Sequence, residues 1–387
     1  MNPIKLCPDR PSDLGITTVD GRDEWWPGQQ DTISNIMEAF WEHKFVLANI
    51  PTGGGKTIVS TAVQRLLGKP ALALTSTIQL QKQYQETMPW AKLATGRNNY
   101  ACGRPDDDAL VKLFGNINAE DCIAYSGGCP EEAEFTCGYD SMIQEVAEAG
   151  EVIANYAFAI RILQAYKLKG LDRNPFRRPL IIADEGHLIE NAVIEAVSLS
   201  LWRGPCDEAG LPPWPETGDI YEWLAWATDS KSKAHEWLVS TAQDKHDKGT
   251  YQRNRRAVNL SEVIRSIQRL NTSEWVVSPD SKETKLKPLW AWSVIDKALW
   301  QHSEYVLITS ATLGDPDNLI AKLNIPKEEA AYLDIPSTFP VGNRPIFYWP
   351  IASFSRKSDR EDWHLLASAI QYIAANGVLP GKKGLIH

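Results

Sequence analysis

Ile50-Pro51-Thr52-Gly53-Gly54-Gly55-Lys56-Thr57 directly follows the apolar run Phe45-Val46-Leu47-Ala48-Asn49. A strand, a glycine-rich turn and a helix in that order suit a triphosphate. Consecutive glycines let backbone N–H groups close around phosphate oxygens, a lysine places positive charge on the β and γ phosphates, and a hydroxyl residue can ligate Mg²⁺. Thr52, Gly53, Gly54, Gly55, Lys56 and Thr57 are therefore the candidate nucleotide residues. The usual pattern begins with glycine, and this chain has Ile50 in that position. Downstream, Leu180-Ile181-Ile182-Ala183 ends in Asp184-Glu185-Gly186-His187. One carboxylate there can hold Mg²⁺, and a second, one residue on, can orient and deprotonate a water. A third apolar run, Tyr305-Val306-Leu307-Ile308, ends in Thr309-Ser310-Ala311-Thr312-Leu313. Taken singly, Gly53 to Gly55 reads equally as a flexible turn and Asp184-Glu185 as a solvated pair. Three such strand ends together point to a nucleotide site, because open α/β sheets bind ligands at the carboxyl ends of their strands.

Four of the six cysteines fall within 36 residues, spaced Cys102-x19-Cys122-x6-Cys129-x7-Cys137. Zinc ribbons draw two ligands from a tight C-x2–4-C knuckle, and this segment has none. No secretion signal precedes the nucleotide motif, which argues against a disulfide framework. Four thiolates can hold a [4Fe–4S] cluster at looser spacing, since each iron takes its own cysteine. On spacing alone a [4Fe–4S] cluster, zinc and four buried thiols all stay open. Cys7 and Cys206 lie far outside this segment and read as ordinary cysteines.

The segments PTGGGKT, DEGH and TSATL, in that order, resemble motifs I, II and III of superfamily 2 helicases. Thr75-Ser76-Thr77-Ile78-Gln79-Leu80-Gln81-Lys82-Gln83 resembles motif Ia, which touches the nucleic-acid backbone in that family. Trp26-Pro27-Gly28-Gln29 resembles the Q motif, whose glutamine reads the adenine edge; Gln29 is the candidate and Gln30 its register alternative. The narrowest resemblance is to XPD/DinG-type iron–sulfur DNA helicases. Gly96-Arg97-Asn98-Asn99-Tyr100-Ala101-Cys102 is similar to their lead into the first cluster ligand. Glu151-Val152-Ile153-Ala154-Asn155-Tyr156-Ala157 is similar to the strand after their cluster domain, with Asn-Tyr in place of the usual Asn-His.

The resemblance implies ATP and Mg²⁺ as cofactors, with Lys56 on the phosphates, Thr57 and Asp184 on the metal, Glu185 as general base, and His187 coupling the nucleotide site to Ser310–Thr312. It also implies a [4Fe–4S] cluster on Cys102, Cys122, Cys129 and Cys137. Gly186 stands where the family usually has Ala, a small change expected to be tolerated while loosening the helix start. The implied activity is ATP-driven 5′→3′ translocation on single-stranded or forked DNA. The family's second lobe supplies arginines for phosphoryl transfer, so the chain alone is expected to bind ATP, hydrolyse it poorly and not unwind duplexes. Either it is part of a truncated or split helicase, or a partner polypeptide supplies that lobe. A DEAH-type RNA helicase and a non-catalytic nucleic-acid-binding module with a nucleotide fold are the alternatives.

These motifs need an α/β frame. Strands are expected at 45–50, 71–75, 151–156, 179–183 and 305–309, with helices at Lys56–Leu67, Ile78–Glu86 and from about Glu190. That alternation predicts a parallel sheet with helices on both faces, a RecA-like P-loop lobe. The expected parts are lobe 1 (1–96, 151–187 and 305–335), a cluster domain (97–150), a helical Arch-like domain (188–304) and the start of a second lobe (336–387). Within the last, a strand is expected at Pro345–Trp349, a helix at Trp363–Ala374 and another strand starting near Lys383. The 188–304 stretch holds nine of the fifteen tryptophans, read as core before base-stacking, with helical stretches near 219–245 and 256–270.

At 387 residues, 43% hydrophobic and 23% charged, the chain can bury a substantial core. It shows no apolar run of about 20 residues and no signal-peptide profile, so a cytoplasmic protein with no membrane association is expected. The formal charge of −9 argues mildly against general nucleic-acid binding. Residues 229–270 are locally basic, with nine Lys and Arg against five acids, and read first as a solvated helical face.

Overall fold

The computed structural model describes residues 7–17, 21, 23–126, 136–164, 173–243, 247–271, 274–340, 348–351, 354–355 and 358–376. In chain order, α1 (Gln29–Ala39) leads to β1 (Phe45–Asn49), α2 (Lys56–Leu67), β2 (Ala71–Thr75), α3 (Ile78–Thr87) and β3 (Lys92–Ala94). The cysteine segment contributes α4 (Ala109–Phe114), α5 (Ala119–Ser126) and α6 (Gly138–Glu148). Then come β4 (Glu151–Asn155), α7 (Tyr156–Leu163), β5 (Leu180–Asp184) and α8 (Ile189–Val197). An insertion follows with β6 (Leu199–Trp202), α9 (Arg203–Glu208), α10 (Ile220–Gln243), α11 (Lys248–Ile267), β7 (Trp275–Ser278) and β8 (Glu283–Pro288). The rest comprises α12 (Ile295–Ala298), β9 (Tyr305–Ser310), α13 (Pro316–Lys322), β10 (Ala330–Asp334) and α14 (Arg360–Asn376).

Seven strands form one sheet in the order β10-β1-β9-β5-β2-β4-β3, and every adjacent pair is parallel. The fold is a RecA-like α/β lobe. Both faces are covered: Phe45, Leu47, Leu72 and Leu74 enter one apolar cluster, while Val46, Ala48, Ala71 and Ala73 enter the other. Burial on both sides is why these strands read as unbroken apolar runs. The expected central strands fall within a residue of the observed ones. β3 and β10 were not anticipated, because both are edge strands. Lys92–Ala94 is short and Ala330–Asp334 is only partly covered, so neither carries an apolar run.

The 188–304 stretch departs from the helical expectation in two ways. Its ends belong to the sheet's own core: Ile189, Val193, Ala291, Ile295, Leu299 and Trp300 are buried there. Trp300 lies edge-on to Phe45 at 5.7 Å and its indole donates to Leu323 O at 2.8 Å. Between those ends, α10 and α11 share a separate core with a three-stranded antiparallel sheet ordered β6-β8-β7. Buried Trp223, Trp226 and Trp237 fill that core. The sheet escaped notice because its strands span only four to six residues. Part of the basic stretch is committed: Arg255 pairs with Glu120 (3.3 Å) and Asp121 (3.6 Å), and Arg256 with Glu208 (2.9 Å). Arg255 thereby ties α11 to the cysteine segment, beside an edge-on Phe114–Tyr251 ring pair at 5.9 Å.

Residues 339–387 form a second compact unit. Its described part contains α14, where Trp349 lies edge-on to Tyr372 at 5.7 Å and Phe354 packs on Trp363 at 5.2 Å. Residues 345–347 of the expected strand and the stretch from Lys383 lie outside the described residues, while Tyr348 and Trp349 belong to no strand. No described helix is long and apolar enough to cross a membrane.

A buried cation adds to the apolar packing that holds the cysteine segment against the sheet. The Arg178 guanidinium donates to Val146 O (2.6 Å), Ala149 O (3.1 Å) and Pro175 O, which closes the carboxyl end of α6. Burial pulls its pKa down from the ordinary arginine value. Arg178→Met should therefore cost about 2–4 kcal/mol of stability by leaving buried carbonyls without a donor. Urea denaturation of the two proteins checks this, and an unchanged midpoint would rule the clamp out.

Candidate functional site

The parallel register places Asn49 beside Ser310 and Asp184 beside Thr309, so three neighbouring strands end together. Hydroxyls on β9 then stitch the acidic end to the loop. Thr309 Oγ1 donates to Asp184 Oδ1 at 3.1 Å, and Ser310 Oγ donates to Glu185 Oε2 at 3.4 Å. His187 Nδ1 lies 2.8 Å from Ser310 Oγ. On the other side, Ile50 N donates to Ser310 O at 2.8 Å and Leu313 N to Asn49 Oδ1 at 3.4 Å.

Glycine is required in the loop for steric reasons. Gly55 has φ +74° and is the N-cap of α2, so no side chain caps that helix. The first-turn N–H groups are left open to an anion, with the helix dipole behind them. A Cβ at Gly54 would lie 2.9 Å from Ile50 Cγ2 and 3.0 Å from Pro51 O. Ile50 itself is buried in the apolar core beneath the loop, which is how isoleucine serves where the usual pattern has glycine.

Lys56 Nζ lies 3.6 Å from Glu185 Oε1, so the loop's cation rests on the acidic pair. Glu185 adopts φ +53°, ψ +52°, a left-handed conformation that costs a non-glycine residue energy and marks a site held by its surroundings. Asp184 is buried, and its pKa is raised by desolvation first and by Glu185 second, against lowering by Lys56 and Thr309. Gly186 is more constrained than expected. A Cβ there would run into Ile308 Cγ2 and come within 2.9 Å of Leu313 Cδ2, so alanine does not fit without displacing β9.

A cavity of about 440 Å³ brings together Gly53, Gly55, Lys56, Thr57, Asp184 and Glu185. Thr52, Gly54 and His187 lie nearby but do not line it. The wall also holds Trp26 of the Q-motif-like segment, Leu80 and Gln83 of the segment expected at nucleic acid, and three α3 residues that sequence reasoning missed, Tyr84, Glu86 and Thr87. Only the polar richness of α3 hinted at such a wall. The residues present fit a Mg²⁺-bound triphosphate. Thr57 and Asp184 supply hard oxygen ligands, and α2 begins with open N–H groups.

Gln29 is placed differently from the expectation. Its side chain is buried, accepting from Trp26 N at 2.8 Å and donating to Gly54 O at 3.3 Å. It supports the loop and is absent from the cavity wall, because αL Gly28 starts α1 with this amide turned onto Gly54 and Gly55. Gln30 is likewise engaged, with Cys7 O and Pro8 O.

Three of the four clustered cysteines are described; Cys129 lies outside the described residues. Cys102 is half-buried, its pKa raised by desolvation and by Cys122, and Arg104 Nε approaches Cys122 Sγ at 3.5 Å. Cys137 is buried at the start of α6. Among the described residues, no group of three or more His, Cys, Asp or Glu could hold a metal ion. Cys102, Cys122 and Cys137 thus form no metal site by themselves. Cys206 lies apart, its thiol pushed up to about 11 by burial.

The sheet order, the glycine-rich strand end and the acidic pair define a RecA-like lobe with a phosphate-loop cleft. Residues 23–201 match the family described as Type III restriction enzyme, res subunit. Solved structures similar to the chain include one described as XPD helicase, at 18% identity and TM-score 0.47, covering 82% of this chain and 63% of that one. A truncated XPD is similar at 15% identity and TM-score 0.45, covering 78% and 99%. XPD described as apo is similar at 16% identity and TM-score 0.44, covering 79% and 57%. The chain therefore spans less than two thirds of the XPD helicase chain. No curated protein matches it.

The raised Asp184 has a stability consequence with a definite sign. A carboxyl whose folded pKa exceeds its unfolded value supports the fold below the unfolded pKa and loses that support as pH rises through the folded one. Asp184→Asn should therefore raise the thermal midpoint of the ligand-free protein at pH 8, with the gain shrinking towards pH 4. Scanning calorimetry at both values tests this, and a lower midpoint at pH 8 would refute it.

Proposed function

We propose that the chain is the nucleotide-binding part of an ATP-dependent superfamily 2 helicase acting on single-stranded or forked DNA. The observation that carries this is the convergence of Lys56, Thr57, Asp184 and Glu185 on one cleft at the carboxyl end of a parallel sheet. The res-subunit match over 23–201 and the order of the three strand-end motifs support it. Bound Mg²⁺ would neutralise charge on the β and γ phosphates.

The residues divide the work. Lys56 leaves Glu185 for the phosphates when nucleotide enters, which frees the Glu185 carboxylate to orient the attacking water. Asp184 and Thr57 hold the metal side. His187, through Ser310, passes the state of the acidic pair to β9. The Thr75–Gln83 segment, at the same end of the sheet, is the proposed contact to the DNA backbone, and 5′→3′ polarity follows from the family resemblance.

Among the described residues lining the cleft, Lys56 is the only cation. Phosphoryl transfer in such enzymes draws on an arginine worth about 10³–10⁵ in rate, which a second lobe or a partner polypeptide would bring. The chain alone should bind ATP with slow turnover. Lys56→Ala should weaken binding of a fluorescent ATP analogue by more than about tenfold, while Glu185→Gln should keep binding and lower residual hydrolysis by about 10²-fold or more. Fast steady-state hydrolysis by the chain alone, or full binding by Lys56→Ala, would contradict this reading.

The four-cysteine [4Fe–4S] assignment rests on spacing and resemblance. Anaerobically purified protein should carry iron and acid-labile sulfide in equal amounts, with visible charge-transfer absorbance that Cys102→Ser abolishes. Zinc in place of iron, or a metal-free protein, would overturn the assignment and leave the nucleotide cleft untouched.

A further inference from the structure

Asn49 ends β1, the strand that separates β9 from β10. The four residues before it are apolar and buried, whereas Asn49 is half-buried and polar, a residue type depleted in strands. Its backbone already serves the ladder, since Ile335 N donates to Asn49 O at 3.0 Å. The side chain makes two further bonds. Its oxygen accepts from Leu313 N at 3.4 Å, in the turn after β9, and its nitrogen donates to Asp334 Oδ1 at 2.8 Å, at the end of β10. An amide can accept on one side and donate on the other, which neither an ionised carboxylate nor an apolar side chain can do.

The turn held by Asn49 is the one that meets the acidic pair. Ser310 Oγ donates to Glu185 Oε2, lies 2.8 Å from His187 Nδ1 and accepts from Thr312 N at 3.2 Å. A hydroxyl has one proton, so Ser310 can donate to Glu185 or to His187, one at a time. β9 and β10 each pair with β1 and not with each other, so a change in the turn after β9 reaches β10 across β1. Two side chains bridge that gap at the strand ends: Asn49, and Tyr332, whose hydroxyl donates to Gly314 O at 3.3 Å. Asn49 is the one that binds within the Ser310–Leu313 turn itself. β10 ends at Asp334, and the chain enters its second compact unit at Phe339.

We propose that Asn49 is a positioning residue that carries the state of the nucleotide cleft from the Ser310–Leu313 turn to the end of β10, on the chain's route into its second unit. The inference rests on the nucleotide reading above, in which Lys56 leaves Glu185 for phosphate; the Ser310 hydroxyl then changes partner, and the turn built on it shifts against the Asn49 amide. It adds to that reading a residue outside the phosphate loop, the acidic pair and the TSATL segment, and a contiguous set of hydrogen bonds that ends at Asp334.

Each protein is saturated with a non-hydrolysable ATP analogue and Mg²⁺, and its amide hydrogen exchange over 309–314 and 331–338 is compared with that of the nucleotide-free protein. In the wild-type chain both segments should respond to nucleotide. Asn49→Asp keeps an acceptor for Leu313 N but cannot donate to Asp334, so the response at 309–314 should persist and that at 331–338 should vanish. Adding Asp334→Asn returns a donor to the pair and should restore the second response. Asp334→Ala, at an exposed position, removes the acceptor instead and should lose the same response, while Tyr332→Phe should keep both. The inference is overturned if Asn49→Asp or Asp334→Ala keeps both responses, if the double variant fails to recover the second, or if Tyr332→Phe abolishes it. A wild-type chain that binds the analogue without a response at 331–338 overturns the inference alone. If that chain binds no analogue, the functional reading falls and the Asn49 inference falls with it.

Discussion

Asn49, Ser310 and Asp184 end three neighbouring parallel strands, and the register among β1, β9 and β5 decides whether a site exists at all. Side chains alternate faces along a strand, so a slip of one residue would send Asp184 to the opposite face and part Thr309 from it. Core packing on both faces forbids that slip, because Leu47 and Val46 fill opposite clusters. The apolar interior therefore does more than stabilise the lobe. It fixes where two carboxylates, a lysine and two hydroxyls meet, and the hydrogen bonds of Thr309 and Ser310 only refine that placement.

The cleft is built at some cost to the fold. Glu185 holds a left-handed conformation, and Asp184 is desolvated beside a like charge. Each is a local rule broken in one small volume, while the flanking strands obey theirs. That concentration is the physical signature of a binding site, since a ligand can supply the charge and hydrogen bonds the protein withholds. Gly186 belongs to the same economy. Its missing Cβ lets Ile308 and Leu313 close against the acidic turn.

Much of this was legible in the sequence, for reasons that also explain what was not. The buried strands announced themselves because two covered faces leave no polar alternation to confuse. The glycines and Lys56-Thr57 were legible because their chemistry dictates their spacing. β3 and β10 were not, since edge strands need only partial burial, and β6 to β8 were too short to stand out. Tyr84 was invisible for another reason. Nothing in Gln81-Lys82-Gln83-Tyr84 says which face of α3 turns to the cleft, and only the packing of α3 against α2 and β4 settles it. The ends of the 188–304 stretch were misassigned because a buried tryptophan such as Trp300 carries no label for which core it fills.

Gln29 shows how one residue can be committed twice. Its amide is held by Trp26 N on one side and Gly54 O on the other, and a Cβ at Gly55 would run into it. To read a base edge it would have to release Gly54, loosening the turn whose backbone must close on phosphate. Loop support and base recognition therefore compete for the same amide in this state. Trp26, half-exposed on the cleft wall, is under no such conflict. A flat indole stacks on a base whatever edge that base presents, so this wall would hold a base without selecting among them.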